Sequence, residues 1–216
     1  MTRANAPALR RPLPGRRLLI ALLVILVAAV VPAIVVPTLM CRPADPTLDD
    51  LGAVGSFALI DERNQPFTDA ALRGHVTLVS FLFTRCDTIC PVTTMKMERL
   101  QEKTFDAGAA IKLASFSVDP AYDTPAVLQA FGESRLKGER RFDQWTLATG
   151  TLAQVESVAS LFGVRHQNVN GTVTHTLSTA VVGHDGRIIR VFDSNSWRPD
   201  ELFDVVSRGV ERASAE

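Results

Sequence analysis

The chain has 216 residues, and its 23 lysines and arginines balance its 23 aspartates and glutamates to a formal net charge of zero. That balance leaves no basic field to hold nucleic acid, and no internal repeat or low-complexity segment suggests a filamentous or disordered protein.

In chain order, residues 1–17 form a basic tail with Arg3, Arg10, Arg11, Arg16 and Arg17 and no acidic residue. Leu18 through Met40 carries no charged side chain and is long enough to cross a bilayer as one helix, with Pro32 and Pro37 kinking its outer half. Arg42, Asp45, Asp49 and Asp50 follow. The positive-inside rule therefore predicts a cytoplasmic tail over 1–17, a membrane anchor over 18–40, and everything beyond it in the periplasm or an equivalent exterior space. A cleaved signal peptide fits less well, because the run exceeds an ordinary h-region and no A-x-A site closes it. Cys41 ends the run, but Leu39 and Met40 stand where lipoprotein signals carry small residues, so it reads as a bystander. A Pro- and Asp-containing linker over 41–55 leads to one domain over 56–216, large enough for a substantial core.

Within that domain, strands are expected over 56–60 and 65–68 around the polar turn Asp61-Glu62-Arg63-Asn64, as a hairpin. The apolar run 76–83 reads as a central strand buried on both faces. A helix follows over 91–107 and a second buried strand over 111–118. Thr124-Pro125 caps and opens a helix to about residue 137. A short strand over 145–148 and a helix over 151–161 with Thr151 as cap come next. Strands over 176–182 and 187–192 flank the turn Gly183-His184-Asp185-Gly186, and a last helix covers 199–213. Parallel βαβ units closed by a hairpin and a helix make an α/β sandwich of thioredoxin type, preceded by the single transmembrane helix. In such a fold reactive groups gather at the carboxyl ends of the central strands.

At one such end lies Phe83-Thr84-Arg85-Cys86-Asp87-Thr88-Ile89-Cys90-Pro91. Pro91 suits the first helical position and pushes Cys90 out of the α region, placing both thiols on the turn before the helix. The helix amides there are expected to favour thiolates. Two thiolates together bind a soft ion such as Cu(I), or close a disulfide in an oxidising exterior. A purely structural bridge would close so short a loop that it adds about 2 kcal/mol or less. The residues leave metal binding and thiol exchange both open.

The run F-x-F-T-x-C-x-x-x-C-P at 81–91, Ser117-Val118-Asp119-Pro120 with Asp123-Thr124-Pro125, Val173-Thr174-His175-Thr176 and the single anchor together resemble the Sco/SenC family of membrane-anchored copper proteins that help assemble cytochrome c oxidase. The resemblance implies copper, as Cu(I) and also Cu(II) where geometry allows, held by Cys86, Cys90 and His175. It implies as partner the copper-binding subunit of the oxidase or another copper chaperone. The chain departs from the family pattern with Asp87-Thr88 after the first cysteine, Thr174 before the histidine, and Tyr122 where an arginine is usual.

The protein is then expected to be a copper carrier, without turnover in the enzymatic sense. A thiol-disulfide oxidoreductase acting on cysteines of a copper protein through Cys86 and Cys90 is the alternative. Against it, no proline occurs between Pro125 and Pro199, so the cis-proline that thioredoxins set against their cysteines has no counterpart. A peroxidase ranks last, since Phe83 stands where the peroxiredoxin pattern wants threonine. His75, His166 and His184 read as solvated. Turn and cap chemistry accounts for Asp119 and Asp123. Met95 and Met97, two apart on a helix, point to different faces, so at most one could join the cysteines, and core packing is the better account of them.

Overall fold

A computed structural model describes residues 48–108, 111–135, 144–169 and 172–215. The tail and anchor expected over 1–40 lie outside these residues. The elements are β1 (Ala58–Asp61), β2 (Pro66–Thr68), a 3-10 turn (Asp69–Leu72), β3 (Val76–Leu82), α1 (Cys90–Asp106), β4 (Ile111–Ser117), α2 (Pro125–Arg135), β5 (Trp145–Thr149), α3 (Leu152–Leu161), β6 (His166–Val169), β7 (Thr172–His175), β8 (Thr179–Val182), β9 (Ile188–Phe192) and α4 (Pro199–Ala215).

Seven strands form one sheet in the order β2-β1-β5-β4-β3-β8-β9, with β3, β4 and β5 parallel and the flanking pairs antiparallel. Every residue of β3 is buried, as its nearly continuous apolar run requires of a strand covered on both faces. The period of two divides its side chains between two cores. Val79 and Phe81 join an aromatic layer of Phe57, Phe67, Phe116 and Phe162 under α3, whereas Val76, Leu78 and Leu82 pack with Leu100, Leu113, Trp145 and Leu202 under α1 and α4. On the second face Ser80 and Ser115 share a hydrogen bond of 2.7 Å, and Trp145 Nε1 donates to Ser115 Oγ at 2.9 Å, so these buried polar atoms satisfy one another.

Local chemistry sets the helix starts. Val127 N donates to Thr124 Oγ1 at 3.3 Å ahead of α2, and Thr151 with Gln154 completes a capping box on α3. Two segments differ from the sequence expectation. The strand expected over 176–182 begins only at Thr179, and His166–Val169 pairs antiparallel with Thr172–His175 as a separate two-stranded arm. Its signal was Asn170-Gly171, a two-residue hairpin dipeptide between alternating residues. Part of the stretch expected as linker runs beside β9, with Asp49 N, Leu51 N and Val54 N donating to the carbonyls of Ile189, Ile188 and Gly186. Arg187 and Arg190 pair with Asp50 and Asp49 there, so this strap covers an otherwise open sheet edge.

Candidate metal centre

β3 delivers the chain to the cysteine loop, and the end of β4 holds that loop from below. Asp123, 0% exposed, accepts from Thr84 N at 3.1 Å, from the Thr84 hydroxyl, and from Ser117 Oγ at 2.6 Å. Burial raises the Asp123 carboxyl above its ordinary value, opposed by the Ser117 and Thr84 hydrogen bonds. Arg85 Nη2 and Nε donate to Asp119 Oδ2 at 2.5 and 3.2 Å, and the Arg85 guanidinium lies 4.4 Å from the Tyr122 ring centroid. Asp119 is 2% exposed. Turn chemistry is thus only part of what these aspartates do: both reach across to the loop after β3 and fix the residues just before Cys86.

The thiols are unbridged, Cys86 half-buried and Cys90 buried. Contrary to the expectation from Pro91, Cys90 is itself the first residue of α1 and the proline takes the second position. Ile89, the residue at the cap, supplies no side-chain acceptor. Instead the Cys86 sulfur stands in as cap, accepting from Cys90 N at 3.4 Å, with the Thr88 hydroxyl 3.7 Å away. The two thiols consequently split. Burial works against a Cys86 thiolate, but hydrogen bonds from the Cys90 thiol and from the Cys90 and Thr88 amides outweigh it and lower its pKa. Cys90 is pushed up to about 12, first by burial and then by its hydrogen bond to Cys86 and the negative charges of Cys86 and Asp123. The helix start therefore favours one thiolate, where the sequence suggested two.

His175 ends β7, opposite His166 in the arm. Its Nδ1 lies 3.0 Å from the Thr176 carbonyl, the tautomer in which Nδ1–H donates and Nε2 keeps its lone pair. Nε2 is buried and has no hydrogen-bond partner among the described residues. Burial lowers the His175 pKa, which favours that neutral ring. Phe83 touches both His175 and the cysteine loop. Its ring meets His175 edge-on at 5.9 Å, while its carbonyl accepts from Cys86 N at 3.1 Å. Cys86 and Cys90 share a cleft of about 140 Å³ with Pro91, Thr94, Met95, Glu98 and Phe131. Among the described residues no three His, Cys, Asp or Glu side chains form a metal-ligand group, and His175 does not line the cleft that holds the two cysteines.

The other histidines are not simply solvated. His166 pairs with His175 in the arm, and His75 is half-buried, its pKa lowered by that burial and by nearby Lys112. Met97 is core at 1% exposure, but Met95, at 45%, lines the cysteine cleft. A larger depression of about 650 Å³ along the loops after β4 and β5 includes Asp119 and His166 and none of the three expected ligands.

Comparison with known proteins identifies the family. The family model SCO1/SenC matches residues 46–211. The SCO1 protein homolog of Bacillus subtilis is 34% identical over 143 residues, 63% of this chain and 72% of its own. The copper-bound structure of Bradyrhizobium japonicum ScoI superposes with a TM-score of 0.60 at 26% identity, covering 75% of this chain and 99% of that one. BsSco, a member of the Sco family of cytochrome c oxidase assembly proteins in which a disulfide switch was identified, has a TM-score of 0.65 at 28% identity, covering 76% and 97%. With the thioredoxin-like sheet, the C-x-x-x-C loop at its carboxyl end and a family match running through nearly all of the folded domain, the chain belongs to the SCO1/SenC family.

Proposed function

We propose that this protein is a membrane-anchored copper metallochaperone that carries copper on Cys86, Cys90 and His175 for the copper centre of cytochrome c oxidase. The anchor is residues 18–40, and the carrier domain lies on the exterior side. The observation that carries the reading is the complementary state of the ligands. One sulfur is poised as thiolate, a second thiol bonds to it, and a neutral imidazole has a buried lone pair without a partner. Two soft sulfurs and one imidazole suit Cu(I), and leave the ion accessible to an incoming ligand of the recipient. Loading requires Cys90 to lose the proton its burial protects, so affinity falls as pH is lowered.

The thiol asymmetry also suits a second reading, thiol-disulfide exchange with Cys86 attacking and Cys90 resolving. Titration of the reduced chain with Cu(I) against a competing chelator separates the two. One copper per chain is expected, with Cys86→Ser or Cys90→Ser nearly abolishing uptake and His175→Ala weakening it by less. Equal uptake by the wild type and the double serine variant refutes the carrier. If instead His175→Ala supports full oxidase assembly under copper limitation, the dithiol reductase is the better reading.

A further inference from the structure

We propose that Met95 is a third sulfur ligand for incoming copper, forming with Cys86 and Cys90 an entry site distinct from the set completed by His175. The proposal rests on the carrier reading above and adds a residue and a step to it. Three observations carry it. Met95 is on α1, the helix that begins at Cys90, and lines the same small cleft as both thiols, whereas His175 is not part of that cleft. It is 45% exposed, whereas Cys86 is half-buried and Cys90 buried, so of the three residues Met95 is the one most open to solvent. Met95 stands five residues beyond Cys90, about 7.5 Å along the helix axis and about 140° around it, and because helical side chains lean toward the N-terminus its long, flexible thioether reaches the wall of the cleft that both thiols line.

The chemistry suits an entry ligand. A thioether is soft, neutral and weak, so it assists Cu(I) binding without a proton to lose and releases the ion readily. Passage to the final set breaks the bond between copper and the Met95 sulfur and forms one to His175 Nε2. Both ligands are neutral, so charge at the metal is unchanged and no electron moves. The partnerless Nε2 lone pair is the group left to receive the ion.

The full chain in detergent, with its cysteines reduced, tests this with Cu(I) supplied as a chelator complex. In the His175→Ala background, where copper would rest at the entry site, adding Met95→Leu should lower affinity by roughly tenfold. Selenomethionine-labelled His175→Ala protein should show a selenium–copper distance in X-ray absorption that Met95→Leu removes. Met95 is exposed, so unchanged thermal unfolding is expected of the variant and serves as its folding control. A His175→Ala chain that binds copper with no selenium–copper contact, and with the same affinity after Met95→Leu, overturns the entry site and leaves the carrier standing. A wild type that takes no copper from the chelator overturns both.

Discussion

The cysteine loop and the histidine arm are built on opposite plans. The loop is fastened to the sheet by buried carboxylates: Asp123 takes three hydrogen bonds from Thr84 and Ser117, and Asp119 holds Arg85. The arm is a two-stranded hairpin outside the main sheet, pinned to the aromatic core by Val164 and Val173. The loop that bears the cysteines is thus set by the scaffold, whereas the strand that bears His175 stands outside the main sheet. Substitutions near the loop should damage fold and chemistry together, while those on His175 should damage chemistry alone.

The sharpest test is Asp123→Ala, which leaves two hydroxyls and an amide without their acceptor. A loss of roughly 3 kcal/mol or more is expected in urea unfolding, against about 1 kcal/mol or less for His175→Ala. Comparable losses from the two variants would end the distinction between scaffold and arm.

Next in size is the alkaline limb of stability. Cys90 has its folded pKa raised from 9.0 to about 12, so its contribution is complete below pH 9 and is lost as pH climbs toward 12, where the unfolded chain has already released the proton. Cys90→Ser should flatten the fall of the unfolding midpoint across that interval. An unchanged slope would mean that the buried thiol is not what resists ionisation there.

Arg85→Ala should give a smaller loss than Asp123→Ala, because the guanidinium is partly exposed although its partner Asp119 is not. Arg85→Lys should recover only part of it, since an ammonium keeps the charge without the hold through both Nε and Nη2. Full recovery by lysine in the same unfolding measurement would reduce the contact to simple charge.

The least effect should come from the arm at acid pH. Burial lowers the folded pKa of His175, so its stabilising contribution is present above the ordinary value of 6.5 and is lost as pH falls through the folded pKa. His175→Ala should be slightly more acid-tolerant than wild type in thermal melts. Greater acid sensitivity of the variant would contradict a buried neutral ring.

Much of this plan is written locally. The nearly continuous apolar run of β3, the Thr124-Pro125 start of α2 and the Thr151 cap each follow from neighbouring residues, whereas the entry of Cys90 into the first turn of α1 does not. What escaped depends on register between distant segments. The alignment of Leu82 with Ser117 brings Thr84 over Asp123, and nothing in either segment alone announces that contact. The pairing of His166 with His175 needed only the Asn170-Gly171 signal to be weighed above the polar look of its surroundings. Met95 was separable from Met97 by the helical wheel, once Cys90, Thr94, Met97, Gln101 and Thr104 are seen to form the buried face.

The strap at residues 49–54 bears on how the chain reaches this state. Its hydrogen bonds join the start of the domain to Gly186, Ile188 and Ile189 near its end, so the seam cannot close until nearly all of the domain has been made. Contacts of such long sequence separation cost the most chain entropy and form late. Until they form, β9 is an open edge able to pair with another chain. In pulsed hydrogen exchange during refolding, the amides of Leu51 and Val54 should gain protection after those of Leu78 and Val79. Late closure of that seam makes the interval before it forms the period when this domain is most open to aggregation and proteolysis.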